Sequence, residues 1–116
     1  MTEVQLTAGQ ALKLWHNVSQ ALVTDGDRDL TQRQMAILLI IYLEAPPHTV
    51  RGLAARLEVT KPVITRALDT MGHMKLVQRK RDPQDRRNVI IKRTLEGALF
   101  LEKLADTICV SAGDLA

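Results

Sequence analysis

The sequence has few cysteines and few aromatic residues. It contains one cysteine, Cys109, and one residue each of tryptophan, tyrosine and phenylalanine among 116. A single cysteine cannot form a disulfide within the chain, which agrees with a reducing compartment such as the cytoplasm. Because 46% of the residues are apolar and only 3% aromatic, the core must be built from aliphatic side chains. The length suits one domain and leaves no room for a second independent one.

Long hydrophobic runs are also absent. No run of about eighteen uncharged apolar residues occurs, and the N-terminus has no basic segment followed by an apolar one. We therefore expect no membrane partner and no secretion, and a cytoplasmic location. Nothing basic lies near Cys109 in the sequence, so we expect its thiol to be buried and unreactive.

The sequence contains no recognisable catalytic or metal-binding pattern. The three histidines and the cysteine lack metal-ligand spacing, and each histidine is expected to be exposed or partly packed. These residues are His16, His48, His73 and Cys109. No glycine-rich phosphate loop, Ser-His-Asp arrangement or paired carboxylates stand out. We expect no metal, no cofactor and no enzymatic activity.

The basic residues are concentrated in one part of the chain. Residues 49–93 contain 12 lysines and arginines against 4 aspartates and glutamates, a net charge of +8. The other 71 residues contain 4 basic and 9 acidic side chains, or −5, which together with +8 gives the +3 of the chain. Such a positive segment favours a polyanionic partner. A membrane surface is disfavoured, because these cations do not line one side of a long apolar helix.

Two short helices joined by a tight turn are predicted within this segment. Thr49 can cap the first helix, which should end near Glu58, and Thr60 can cap the second. The second helix has an apolar stripe of Ile64, Ala67, Leu68 and Met71, and an opposite polar face of Lys61, Pro62, Thr65, Arg66 and Asp69. One face can pack while the other reads DNA, as in a helix-turn-helix. An ordinary amphipathic helix with a solvated polar face has the same pattern.

A β-hairpin is predicted directly after these helices. The β-rich strands are expected over residues 76–81 and 88–93, on either side of an Asp-Pro-Gln-Asp turn. Arg86 and Arg87 lie in or just past this turn, where a guanidinium can enter a minor groove or bind phosphate. Asp82 or Asp85 can hold one of them in place by an ion pair. A surface loop with ordinary ion pairs would look the same.

Three further helices complete the predicted fold. The first follows a capping box of Thr7 and Gln10, and the second follows another of Thr31 and Gln34. The second is apolar nearly all round, so it should be buried at the centre. A last helix follows Thr94 and ends at about Cys109, with a frayed tail over residues 111–116. The predicted fold is mainly α with a small β-hairpin wing, in the order helix, helix, helix, helix, strand, strand, helix.

Four segments of this sequence resemble, in register, the MarR family of bacterial winged helix-turn-helix transcriptional regulators. They lie within about two-thirds of the chain, between residue 30 and about residue 104. In chain order they are Leu30-Thr31-Gln32-Arg33-Gln34, residues 53–62, Asp82-Pro83-Gln84-Asp85-Arg86-Arg87 and Thr94-Leu95-Glu96-Gly97. Each match is weak alone, but four in order make a specific signal.

The resemblance implies a homodimer that represses transcription by occupying a pseudo-palindromic operator in double-stranded DNA. A recognition helix of each copy would enter a major groove, and each wing an adjacent minor groove. Carried onto this sequence, the groove-facing set is Thr60, Lys61, Pro62, Thr65 and Arg66. Arg86 is then the expected wing-tip contact, and Arg87 the arginine that pairs with aspartate. Phosphate contacts are expected from Arg51, Lys75, Arg79 and Lys92.

The resemblance also implies how the single domain, residues 1–116, is used. Residues 30–93 would form the DNA-binding lobe, and terminal helices at about 7–24 and 94–110 would form the dimer. The candidate interface residues, some of which should be internal core, are Leu14, Trp15, Val18, Leu22, Leu99, Phe100, Leu104 and Ile108. Family members are usually longer, with extended terminal helices. Many bind small aromatic effectors, but no distinctive pocket lining is visible here, so an effector stays open.

Two other functions fit a winged helix of this kind. It could bind a partner protein or act as an anti-regulator, since the fold alone does not fix the function. It could also be an architectural DNA binder, with salt-dependent binding but no sequence preference. The +8 segment argues against the first alternative, because a protein-binding helix does not need such a basic surround.

Overall fold

The computed structural model describes residues 3–24, 26 and 28–115. Its elements are α1 (Ala8–Thr24), α2 (Gln32–Leu43), β1 (His48–Thr49), α3 (Val50–Leu57), α4 (Lys61–His73), β2 (Val77–Arg81), β3 (Val89–Arg93) and α5 (Leu95–Gly113). The prediction of a mainly helical fold with a small β wing is confirmed. None of the described helices is long and apolar enough to cross a membrane. The chain divides into a terminal unit, residues 1–29 and 101–116, and a central unit, residues 30–100.

Threonine side chains start most of the helices, as the sequence predicts. The Thr31 hydroxyl accepts from the Gln34 backbone N–H at 3.1 Å, and the Gln34 side chain accepts from the Thr31 N–H at 2.9 Å. Thr60 is the exception, because it occupies the N-cap position of α4 without a side-chain cap bond. Pro62, the second residue of α4, has no N–H to donate, and the Val63 N–H donates to the Thr60 carbonyl oxygen instead. The Thr60 hydroxyl therefore makes no capping hydrogen bond to its own helix.

The central unit has its core between α2, α4 and the wing. Ile37, Leu38 and Ile41 of α2 are fully buried. The predicted stripe of α4 is confirmed at every position, since Ile64, Ala67, Leu68 and Met71 are all buried. From the wing side, Leu76, Val77 and Ile91 complete this core. Leu43, at the end of α2, is 76% exposed, so the prediction that α2 is buried all round is wrong at that end.

The wing is part of a three-stranded antiparallel sheet in the order β1-β3-β2. The hairpin of β2 and β3 is confirmed, but β1 was missed, because two residues are too short to show an alternating pattern. His48 of β1 lies opposite Ile91 of β3 and is only 8% exposed, so its expected placement at or near the surface is wrong. One ring nitrogen, Nε2, lies 3.1 Å from the Glu44 carbonyl oxygen.

A tyrosine hydroxyl ties the end of α2 to both ends of the wing. The Tyr42 hydroxyl donates to the Leu76 carbonyl oxygen at 2.8 Å and accepts from the Thr94 backbone N–H at 2.9 Å. The Thr94 hydroxyl donates to the Lys75 carbonyl oxygen at 2.8 Å and accepts from the Gly97 N–H at 3.0 Å. The start of the wing and the start of α5 are therefore fixed at one point of the central unit.

In the terminal unit, α5 is longer than predicted. It continues to Gly113, and Ser111 is buried, so the prediction of a frayed tail is wrong for residues 111–113, and Ala116 lies outside the described residues. Cys109 is exposed, contrary to the expectation of burial. It follows the buried Leu104 by five residues, about 140° around the helix, whereas Ser111 follows by seven and returns to the same face. Val18 and Leu104 are also buried within the chain and are therefore not available as interface residues.

Two residues other than glycine adopt left-handed backbone conformations in the central unit. Glu58 has φ 57° at the end of α3, and Lys75 has φ 63° just after α4. At Lys75 the N–H groups of residues 75 and 76 donate back to the carbonyl oxygens of Gly72 and Met71, as in a Schellman motif. Each conformation closes a tight connection, one before α4 and one before the wing.

Replacing Lys75 with glycine should stabilise the fold. Glycine adopts a positive φ without the steric cost of a Cβ atom, although it loses more chain entropy on folding. We expect a net gain of about 0.5 kcal/mol in the free energy of unfolding, measured by urea denaturation. Lys75→Ala is the control, because it removes the charge but keeps the Cβ atom. An equal gain in both variants would mean that the lysine charge, and not the backbone conformation, is unfavourable.

Candidate nucleic-acid interface

The predicted groove-facing residues lie on the exposed side of α4. Lys61, Pro62, Thr65 and Arg66 are exposed, as is Thr60 just before the helix. Their opposite side is the buried stripe, so packing of α4 against the core turns these side chains outward. Within the described part of the chain, neither Lys61 nor Arg66 has an ion-pair or hydrogen-bond partner for its side chain. The face thus presents two unneutralised cations, two hydroxyl groups and a proline.

A second arginine lies beside this face. A groove of about 230 Å³ separates the start of α2 from α4, and Arg33 and Arg66 both border it. Its other lining residues are Thr31, Gln34, Val63, Ala67 and Thr70. Arg33 lies outside the basic segment in the sequence, and only the packing of α2 against α4 brings it next to Arg66. A count of charges along the chain could not have identified it.

The loop of the wing is held by its own residues. Arg87 donates through Nε and Nη2 to the two carboxylate oxygens of Asp85, at 3.1 and 3.3 Å, so the predicted arginine-aspartate pair is confirmed. The hydrogen bonds from Arg87, with a smaller attraction from Arg51, lower the pKa of the Asp85 carboxyl. The Arg81 guanidinium donates to the Arg86 carbonyl oxygen at 2.7 Å. The Arg86 side chain is exposed and has no partner among the described residues.

Other predicted phosphate contacts are distributed around α4 and the wing. Arg51 is exposed in the first turn of α3. Lys92 is exposed on β3, opposite Gln78 of β2. Lys75 is exposed in the connection between α4 and the wing. All of the residues predicted to contact DNA lie in the central unit, residues 30–100.

Three more arginines of the basic segment have partners within the protein. Arg79 forms an ion pair with Asp69 of α4, with Nη2 2.6 Å from Oδ1. Arg56 forms a bidentate pair with Glu44 at 2.7 and 2.6 Å, and this bond to Arg56 lowers the pKa of the Glu44 carboxyl.

Arg93 also has an internal role. It donates to the carbonyl oxygens of Ile41 and Glu44 at 2.7 and 2.9 Å, which caps the end of α2. The charge pattern alone could not separate these structural arginines from the free ones, because every partner is distant in sequence or on another element.

The described residues include no group of three or more histidines, cysteines, aspartates or glutamates placed to hold a metal ion. His16, exposed on α1, has its Nδ1 3.0 Å from the Asn17 side-chain oxygen. His73 has its Nδ1 2.7 Å from the Asp69 carbonyl oxygen. Both rings therefore have ordinary partners on their own helices.

Comparison with known proteins agrees with this arrangement. The model of the MarR family matches residues 30–89. The organic hydroperoxide resistance transcriptional regulator of Bacillus subtilis (strain 168) is 33% identical over 78 residues, which cover 67% of this chain and 52% of the relative. The chain therefore spans about half the length of that protein.

Solved structures share the fold. CouR from Rhodococcus jostii RHA1, bound to p-coumaroyl-CoA, is 28% identical with a TM-score of 0.64, over 90% of this chain and 71% of CouR. S. aureus MepR in its DNA complex is 24% identical with a TM-score of 0.72, over 84% of this chain and 77% of MepR. The second likeness establishes the fold alone. Because the family model matches just over half of the chain, including three of the four recognised motifs, this protein belongs to the MarR family, whose members are transcriptional regulators and not enzymes.

Proposed function

We propose that this protein is a sequence-specific DNA-binding regulator that represses transcription by occupying a pseudo-palindromic operator as a homodimer in the cytoplasm. The exposed face of α4 carries the proposal, because it presents Lys61, Thr65 and Arg66 without partners in the described structure. In this role α4 enters the major groove, where arginine can bind guanine edges and threonine a thymine methyl group. Arg86 and Arg87 then reach the adjacent minor groove from the wing.

The remaining cations supply affinity without sequence preference. Arg33 lies beside the reading face, and Arg51, Lys75 and Lys92 are exposed elsewhere in the central unit; all four would contact phosphates. Each phosphate neutralised releases condensed counterions, so binding should weaken steeply as salt rises. The ion pair of Arg79 makes it the weakest of the predicted phosphate contacts.

A binding titration tests this function. The purified protein is titrated against DNA from upstream of its own gene and against a random fragment of equal length, each at two salt concentrations. A sequence selected from a random pool provides an operator if the upstream DNA contains none. We expect the operator to bind at least about 10³-fold more tightly than random DNA at physiological salt.

The alternatives predict different results. Equal and salt-sensitive binding to both fragments, with no sequence enriched from the pool, would favour an architectural DNA binder. No binding to either fragment at low salt would favour a protein-interaction module or an anti-regulator. Either result would contradict a sequence-reading repressor.

The homodimer is supported by exposed apolar side chains of the terminal unit. Trp15 is 59% exposed on α1, and Leu12 is exposed one turn before it. On α5, Ile108 and Val110 are exposed. Leu12 and Trp15, three positions apart, share one face of α1, and large apolar side chains grouped in this way favour protein association. Leu14 and Leu22 are partly exposed and can join the interface, and in the central unit Leu99 is exposed and Phe100 partly exposed.

Replacing Trp15 with glutamate should weaken the dimer. A buried interfacial tryptophan commonly contributes at least about 2 kcal/mol, and two copies are altered at once. A total loss of about 4 kcal/mol should raise the dimer dissociation constant by about 10³-fold, measured by sedimentation velocity. Gln20→Glu is the control, because it adds the same charge to an exposed polar position of α1. A dimer unaffected by Trp15→Glu would exclude this face of α1 from the interface.

A small-molecule effector is included in this proposal, since CouR was solved with p-coumaroyl-CoA bound. The titration can be repeated with aromatic acids and with acyl-CoA thioesters. Release of operator DNA at constant salt would identify the chemical class of the effector. If operator binding is unchanged by every compound tested, aromatic acids and acyl-CoA thioesters are excluded as effectors.

A further inference from the structure

An acidic residue lies beside the proposed reading residues of α4. Asp69 follows Thr65 by four positions and Arg66 by three, so these side chains leave the helix on neighbouring parts of one surface. A carboxylate next to the DNA backbone repels phosphate and lowers the affinity for DNA of any sequence. If Asp69 favours DNA binding, it must therefore do so by something other than its charge.

Asp69 connects α4 to the wing. Its Oδ1 lies 2.6 Å from Nη2 of Arg79 on β2. In the part of the chain that the structure describes, no other ion pair joins α4 to β2 or β3. The side chains of Asp69 and Arg79 are 49% and 36% exposed, and ion pairs at such sites add little to the free energy of unfolding. The ion pair between Asp69 and Arg79 therefore matters more for the orientation of α4 relative to β2 than for the stability of the fold.

The strand register turns Arg79 toward the helix. Arg79 lies directly opposite Ile91, which is buried. Directly opposite residues of antiparallel strands project from the same face of a sheet. Arg79 therefore leaves β2 on the face that carries the core, whereas the adjacent Gln78 and Lys80 leave it on the other face. The sequence predicted a phosphate contact here because it does not reveal which face carries Arg79.

Besides the apolar core that they share, α4 and the wing are joined by two further attachments, of which the ion pair is the second. The first is the covalent connection after His73, where Lys75 has a left-handed conformation and Leu76 is fully buried. That connection fixes the end of α4, and Asp69 lies about one helical turn before it. The packed core sets the overall placement of α4, and two further attachments at different heights along the helix limit its rotation and tilt relative to the strand.

We propose that Asp69 and Arg79 are positioning residues that set the orientation of α4 relative to the wing and thereby the preference for one DNA sequence. The inference rests on the proposed function. Contacts to base edges require an arginine to be aligned with two acceptors. Phosphate contacts tolerate displacement, because they depend mainly on charge. Loss of the pair should therefore reduce discrimination between sequences while leaving non-specific binding intact.

The test compares four proteins: wild type, Asp69→Ala, Arg79→Ala and the double variant. For each, the dissociation constants for the operator and for random DNA are measured at several salt concentrations, and circular dichroism verifies the fold. Glu58→Ala is the control for charge, because Glu58 is an exposed acid in the turn before α4 whose side chain has no hydrogen-bond or ion-pair partner among the described residues.

We expect the ratio of the random-DNA to the operator dissociation constant to fall about tenfold in each single variant. The double variant should fall no further, since either change alone removes the pair. In Asp69→Ala, random DNA should bind at least as tightly as it does to wild type, with a salt slope steeper by up to about 0.9 per copy from the released Arg79. Glu58→Ala should tighten or leave unchanged the binding of both DNAs, without changing the ratio.

Asp69→Ala removes a negative charge and Arg79→Ala removes a positive one, yet both would lower the preference for the operator over random DNA. A simple effect of charge would not lower this preference in both variants. If Asp69→Ala tightens both DNAs equally and Arg79→Ala weakens both equally, the residues act by charge alone and the inference is overturned. A large wild-type ratio that all variants retain overturns it as well, without affecting the proposed function. A wild-type ratio near one contradicts the proposed function itself, and this inference with it.

Discussion

Gly97→Ala is expected to lower the free energy of unfolding by about 3 kcal/mol. A Cβ atom at Gly97 would overlap the hydroxyl group of Tyr42 and the backbone carbonyl oxygen of Leu76. Those two atoms are joined by a hydrogen bond that holds the wing to α2. To admit the methyl group, the start of α5 must move away or this hydrogen bond must break. For a chain of this size the midpoint of thermal unfolding should fall by about 10 °C.

Gly72→Ala provides the matched control for this prediction. Gly72 lies in the last turn of α4, and a Cβ atom there would meet nothing within 4 Å. Because alanine favours a helix more than glycine does, this variant should be about 0.5 kcal/mol more stable than wild type. Adding Tyr42→Phe to Gly97→Ala removes the hydroxyl group but not the Leu76 carbonyl, so the double variant should remain unstable. Wild-type stability in Gly97→Ala would mean that α5 can shift freely at its start.

Arg66→Ala should cause the largest loss of DNA binding among single changes to the reading face. An arginine that contacts base edges contributes about 1 to 3 kcal/mol to specific binding, and a homodimer loses it at both half-sites. We therefore expect operator affinity to fall by about 2 to 6 kcal/mol in total, with a much smaller loss on random DNA. Fluorescence anisotropy with labelled DNA of both kinds measures the difference, at a salt concentration where wild type binds both.

Lys103→Ala is the control for Arg66→Ala, because it removes one positive charge from an exposed position of α5 outside the basic segment. It should leave the preference for the operator unchanged. Equal losses on operator and random DNA in Arg66→Ala would show that Arg66 contacts only the DNA backbone. In that case Lys61 and Thr65 would have to account for sequence reading.

Features that depend on neighbouring residues could be predicted from the sequence. The stripe of α4 from Ile64 to Met71 follows from helical periodicity, and the caps at Thr31 and Thr49 follow from residue types three positions apart. The sequence predicts a side-chain cap at Thr60 as well. Its cap bond is missing because Pro62 removes one of the two N–H groups that it could have served, which a closer consideration of proline would have predicted.

Features that depend on distant residues could not be predicted in this way. Tyr42 and Thr94 are 52 positions apart, and nothing in either local sequence indicates that they meet. The same holds for Arg33 beside Arg66, and for the choice of Asp69 as the partner of Arg79. Charge composition predicted a basic surface correctly, but which arginines are free on that surface depends on strand register and helix packing.

The single tryptophan and the single tyrosine of the chain lie in different units. Trp15 is on α1 in the terminal unit, exposed to solvent, and Tyr42 is at the junction of α2, the wing and α5 in the central unit. Tryptophan emission therefore reports on one unit, and the tyrosine band, resolved from that of tryptophan in second-derivative absorbance spectra, reports on the other. If both signals change at one denaturant concentration, the units unfold cooperatively. If they change at different concentrations, each unit has a stability of its own, and no labelled variant is needed to measure either.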